Sequence, residues 1–171
     1  TLNVFNRHAA TVRMANIAQM VNVLQSPVLS DNRGVVTTPT GYVYRMYAPH
    51  QGGRSVRCIC DAGTVSIPGD VENLDVLTAS ASMREKVLLV TLTNARHDRC
   101  VEVAIKVRGA RIILAGGAQV LTHPDFRACN TIGSSEVVVP QRHPVDVRDG
   151  EARMVLPPAS IWACQFELVM K

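Results

Sequence analysis

The chain has 171 residues, 47% hydrophobic and 19% charged, a balance that excludes a disordered polymer, and no apolar stretch reaches the ~20 residues of a membrane-spanning helix. Eighteen Lys and Arg against 14 Asp and Glu give a net charge of +4, but the bases are scattered and aromatic residues make up only 4%. Neither the basic stripe nor the stacking aromatics of a nucleic-acid binder is present, so no nucleic acid and no membrane is expected as a partner.

The length suits one medium domain, or one domain plus a fragment of another. Residues 1–9, TLNVFNRHA, place Leu2, Phe5 and Ala9 on one helical face with no capping residue ahead of them, the pattern of the tail of a truncated helix. Val12 to Ala18 reads as a short buried strand, although Ile17, Val21 and Leu24 also satisfy helical spacing, and periodicity leaves the two open. Within MANIAQMVNVLQSPVLS (14–30) the amides Asn16, Gln19, Asn22 and Gln25 interrupt an apolar run. An amide buried without partners costs about 1–3 kcal/mol, so these four point to a closed polar network or to a ligand pocket. Ser26-Pro27 and Ser30 to Gly34 carry turn chemistry. Thr38-Pro39-Thr40 then starts a helix to about Tyr47, whose Tyr42, Tyr44, Met46 and Tyr47 are expected to serve packing rather than sugar stacking.

After Pro49 the period changes from helical to alternating, and Gly52-Gly53 is a plausible linker. Val101, Val103, Ile105 and Val107 alternate with Glu102, Ala104 and Lys106 as a half-buried strand, with Val87 to Thr93 as its expected hairpin partner across Asn94 to Arg99. Asp149-Gly150 between VDVR and EARMVL is the strongest two-residue hairpin signal. Ile161 to Val169 closes the chain as a strand with Trp162, Phe166 and Leu168 available for a core, and Gly109 and Gly116-Gly117 suit turns or bulges. Short strands at this spacing describe an antiparallel β-sandwich.

Sites of chemistry are sparse. The five cysteines, Cys58, Cys60, Cys100, Cys129 and Cys164, are odd in number and lack a disulfide framework, which fits free thiols in a reducing, cytoplasmic compartment. Cys58-x-Cys60 lacks the two-residue gap of a zinc or redox pair, and alternation puts both thiols on one strand face as small buried groups. The five histidines show no metal-ligand spacing. With no Gly-rich phosphate loop and no nucleophile elbow, no metal, no cofactor and no catalytic residue is expected in this chain.

The strings LNVFNRHAATVRMANIAQMVNVLQSPVLSD and TPTGYVYRMYAPHQ, covering residues 2 to 51, resemble family 51 glycoside hydrolases, the retaining α-L-arabinofuranosidases, near the end of their catalytic (β/α)8 barrel. LTASAS (77–82), LTHPDFRACNT (121–131) and LPPASIW (156–162) look like the C-terminal β-domain of the same family. The resemblance implies a mainly β fold. Residues 1–51 would be the last strand and helix of the barrel, with Val12 to Ala18 as the eighth strand, and residues 52–171 an accessory jelly-roll-like β-sandwich.

It further implies that the nucleophile and acid/base glutamates, at the ends of the fourth and seventh strands, lie upstream of Thr1 in a longer chain, since none of the glutamates here matches a catalytic motif. In the pattern ANxAQxVN, Gln19 takes the place of a hydrogen-bonding contact to the arabinofuranose ring, with Asn16 and Asn22 as weaker substrate-binding candidates. The implied partners are an arabinose-containing oligosaccharide bound by the complete enzyme and the upstream barrel; a barrel strand and helix without their neighbours would expose apolar surface and unpaired edges, so a second copy of the chain is also expected. The competing expectation is a non-catalytic β-sandwich module for carbohydrate binding or subunit assembly.

Overall fold

In the computed structural model, residues 1–17, 19–66, 69 and 72–170 are described. The helical start is α1 (Leu2–Arg7), and after an irregular stretch come the hairpin strands β1 (Val28–Asp31) and β2 (Gly34–Thr37) and helix α2 (Pro39–Tyr47). The strands that follow are β3 (Arg54–Val56), β4 (Thr64–Val65), β5 (Leu74–Asp75), β6 (Leu77–Arg84), β7 (Val87–Asn94), β8 (Val101–Ile105), β9 (Ala110–Leu121), β10 (Gln141–His143), β11 (Asp146–Arg148), β12 (Glu151–Leu156) and β13 (Ser160–Met170). One sheet has the order β10-β9-β13-β7-β6-β3 and a second β11-β12-β8, with every pairing antiparallel.

The two sheets pack face to face as the alternation requires. Leu88, Val90 and Leu92 of β7 and Trp162, Phe166 and Leu168 of β13 point into a core closed from the other side by Ala152, Met154 and Leu156 of β12. The mainly β, antiparallel sandwich expected from the sequence is the fold observed. Asp149 and Gly150 sit at φ +55° and +81° between Arg148 and its partner Glu151, the two-residue turn that the sequence signals.

One pairing differs. Val87 to Thr93 does not form a hairpin with Val101 to Val107: β7 pairs with β6 and β13, whereas β8 pairs with β12 in the opposite sheet. Residues 95–100 cross between layers instead of turning back. The buried Asn94 fastens that crossing, since its Nδ2 lies 3.1 Å from the Arg99 carbonyl and 2.8 Å from that of Pro157, while Oδ1 accepts from Arg96 N at 2.9 Å. A side-chain clamp of this kind carries no periodicity, so alternation alone cannot tell a hairpin from a crossing.

The outer face of the six-stranded sheet is not left to water. Helix α2 begins at Thr38, whose hydroxyl accepts from Gly41 N at 3.2 Å with Pro39 at the first turn, the start that the sequence announces. It lays Met46 and Tyr47 on Leu121 and Ala163 as a second apolar cluster. Helix α1 covers β6. Its Leu2, Phe5 and Ala9 are half-buried, but the residue most deeply buried is the polar Asn3.

Candidate functional site

Residues 12–17, expected as the eighth barrel strand, join no strand within this chain; Ala18 lies outside the described residues. The physical cause is the ladder. A strand exists by hydrogen bonding to neighbours, and among the described residues no strand pairs with Val12 to Ile17, where Val12 N instead donates to His8 O at 2.8 Å. Met14 and Met20 are accordingly 77% and 64% exposed, and Leu24 is 90% exposed.

The amides divide within this arm. Gln19 is exposed, and Asn16 is also exposed, its Nδ2 meeting the Met14 sulfur at 3.6 Å. Asn22 has left-handed backbone, φ +56°, and its side chain is fully engaged: Nδ2 donates to Ser30 O and Oδ1 accepts from Ser30 N, both at 2.8 Å. That pair of bonds continues the pairing of Val21 with Val28 and joins the arm to β1. Thr38 Oγ1 then donates to Ser26 O at 2.6 Å, tying the other end of the turn to the start of α2. Gln19 thus stands just ahead of an anchored turn, in which Met20 O accepts from Val28 N and Asn22 N donates to Val28 O, both at 3.1 Å.

The closed polar network that the amides suggest exists, but elsewhere. Three hydroxyls surround Asn3 Oδ1: Tyr47 Oη at 2.8 Å, Thr91 Oγ1 at 2.9 Å and Ser80 Oγ at 3.0 Å. Asn3 Nδ2 donates to Thr78 O at 3.1 Å. His50 joins the same cluster through Ser82 Oγ at 2.7 Å and Thr91 Oγ1 at 3.0 Å. Burial pushes the His50 imidazole down to about 4, so it is neutral near pH 7. These side chains come from α1, α2, the 3-10 turn after it, β6 and β7, and sequence spacing gives little sign of them. Only the out-facing Thr78, Ser80 and Ser82 of an alternating strand hint that its second face is covered.

Cys58 and Cys60 share one side of an extended segment and pack half-buried on the main core, with Ile59 turned out. The Cys60 thiol, and then the Arg7 guanidinium, hold the Cys58 thiol down at about 7, and the same bond drives Cys60 upward. All five cysteines are free. Among the described residues no group of three or more His, Cys, Asp or Glu is placed to hold a metal ion.

The family described as the alpha-L-arabinofuranosidase C-terminal domain matches residues 1–160. The chain belongs to that family. It is 31% identical over 163 residues to an intracellular exo-alpha-L-arabinofuranosidase of Bacteroides ovatus, and 27% identical over 171 residues to an intracellular exo-alpha-(1->5)-L-arabinofuranosidase of Bifidobacterium longum, each alignment taking in 94% of this chain. It covers only 31% and 30% of those two proteins, about a third of their length.

Among solved structures, the family 51 arabinofuranosidase from Xanthomonas axonopodis pv. citri matches with a TM-score of 0.87 at 30% identity, over 96% of this chain and 33% of that one. The arabinose complex of the α-L-arabinofuranosidase from Thermotoga maritima matches at 0.85 and 26%, over 97% and 36%. This C-terminal domain is thus that of family 51, as residues 2 to 51 and the β-strand motifs indicate.

Proposed function

We propose that this domain serves a retaining α-L-arabinofuranosidase that releases terminal arabinofuranosyl groups from arabinose-containing polysaccharides, and that both catalytic glutamates belong to a barrel encoded upstream. On this reading residues 1–51 complete the barrel, residues 52–171 brace it, and the segment 12–17 gains its ladder partners there. Gln19 then stands at the C-terminal end of the eighth strand, where the sites of (β/α)8 barrels form. The observation that carries the reading is the arm itself: residues 12–17 join no strand, and Gln19 is exposed beside the exposed Met14, Met20 and Leu24, just ahead of the turn that Met20 O and Asn22 anchor to Val28 and Ser30. A neutral amide that both donates to and accepts from a sugar hydroxyl suits the role.

The test is kcat/KM for cleavage of an aryl α-L-arabinofuranoside by the whole enzyme carrying Gln19→Ala. Loss of one sugar hydrogen bond, about 1–3 kcal/mol, predicts a fall of roughly five- to 150-fold. An unchanged kcat/KM removes Gln19 from the site. Asn22→Ala, by contrast, should lower the thermal midpoint more than it lowers kcat/KM, because its amide is spent on Ser30.

The same apolar arm supports self-association when no barrel covers it. Sedimentation equilibrium of these 171 residues should give a concentration-dependent dimer; a compact monomer at all concentrations contradicts that. Five free thiols and the absence of any disulfide support a cytoplasmic location.

A further inference from the structure

The outer face of the six-stranded sheet holds a cleft of about 500 Å³ between α2 and the β9–β10 edge, within the size range of small-molecule sites. Its origin is a bulge. Cys164 pairs with Ala118 but Phe166 with Ala115, so β9 carries an extra residue at Gly116-Gly117. Gly117 sits at φ +83°, and neither glycine puts a side chain on the floor.

Around that bare floor stand Gln119 and Arg142, directly opposite each other across β9 and β10, together with Gln165 from β13 and Tyr42 and Arg45 from α2. Four of the five are exposed, and Tyr42 is half-buried.

No residue lining the cleft is Asp or Glu. Among the described residues neither arginine has a carboxylate within 4.0 Å, although seven ion pairs form elsewhere in the molecule. Arg45 lies instead over the Tyr42 ring, 5.8 Å from its centroid. Two guanidinium groups are donors only and match the two oxygens of a carboxylate. Two amides and a phenol each donate and accept, as vicinal hydroxyls demand.

We propose that this cleft binds a saccharide that bears a carboxylate, with Arg142 and Arg45 on the acid group and Gln119, Gln165 and Tyr42 on the ring hydroxyls. The proposal makes no use of arabinofuranoside hydrolysis, so its failure would leave the proposed activity standing, and loss of that activity would leave the cleft as it is.

Isothermal titration of the intact protein with digalacturonate tests it. Binding is expected to weaken as salt rises and to fall roughly ten-fold in Arg142→Gln and again in Arg45→Gln, the loss of a charge-assisted hydrogen bond in each case. Both side chains are exposed, and an unchanged thermal midpoint verifies that each variant is folded. Arabinotriose, which has the hydroxyls and no acid, should bind more weakly than digalacturonate. No heat with digalacturonate, equal affinity for arabinotriose, or undiminished binding in both arginine variants overturns the proposal. Inorganic phosphate binding as tightly as digalacturonate also overturns it, by reducing the cleft to a plain anion site.

Discussion

Asn3 carries more of the fold than its place on a short first helix suggests. Its amide oxygen is ringed by the hydroxyls of Tyr47, Ser80 and Thr91, and its amide nitrogen serves Thr78. Asn3→Ala strands buried donors that water cannot reach, and a buried polar group without a partner costs about 1–3 kcal/mol. Chemical denaturation should show a loss near the top of that range. His50 adds a pH dependence. Its folded value, about 4, lies below the ordinary 6.5, so the unfolded chain takes up the proton first as pH falls. Stability is therefore full above about pH 6.5 and declines as pH drops towards 4. Thermal midpoints across that window should fall in the wild type and fall less in His50→Gln, which keeps hydrogen-bonding capacity without the charge.

At the scale of elements, the strands and α2 are legible in the sequence because their signals are local. The alternation of Val87 to Thr93, the run from Ile161 to Val169, Asp149-Gly150 and Thr38-Pro39 each report on a few neighbouring residues, and each element forms where those residues stand. Partner choice is not local. The crossing from β7 to β8 depends on Asn94 reaching the Pro157 carbonyl, 63 residues on, and nothing near Asn94 announces it. Asn94→Ala should cost about 2 kcal/mol and speed amide exchange at Arg96 and at the start of β13. The turn at Gly150 offers a second check. Ala there must adopt φ +81° with its methyl against the Arg111 side chain, a loss of about 1 kcal/mol. The buried polar network was illegible for the same reason, since residues 3, 47, 50, 80, 82 and 91 meet only after the sheet has formed. Of the amides that the sequence singles out, Asn22 is explained by its bonds to Ser30, whereas Gln19 and Asn16 find no comparable polar partner among the described residues.

For the molecule as a whole, the sandwich is closed by its own residues, whereas residues 12–17, between α1 and the anchored turn, join no strand. Trp162, Phe166 and Leu156 lie in a core sealed by two sheets, while Met14, Met20 and Leu24 face solvent. A chain that covers about a third of its arabinofuranosidase relatives and leaves residues 12–17 in no strand fits the proposal that it is the closing piece of a barrel. Amide hydrogen exchange over residues 12–17 bears on that most directly, measured in the whole enzyme. If the segment is the eighth strand, its amides are held in a parallel ladder and exchange as slowly as those of β7. Exchange as fast as that of an open loop, in an enzyme that is folded and active, would contradict it.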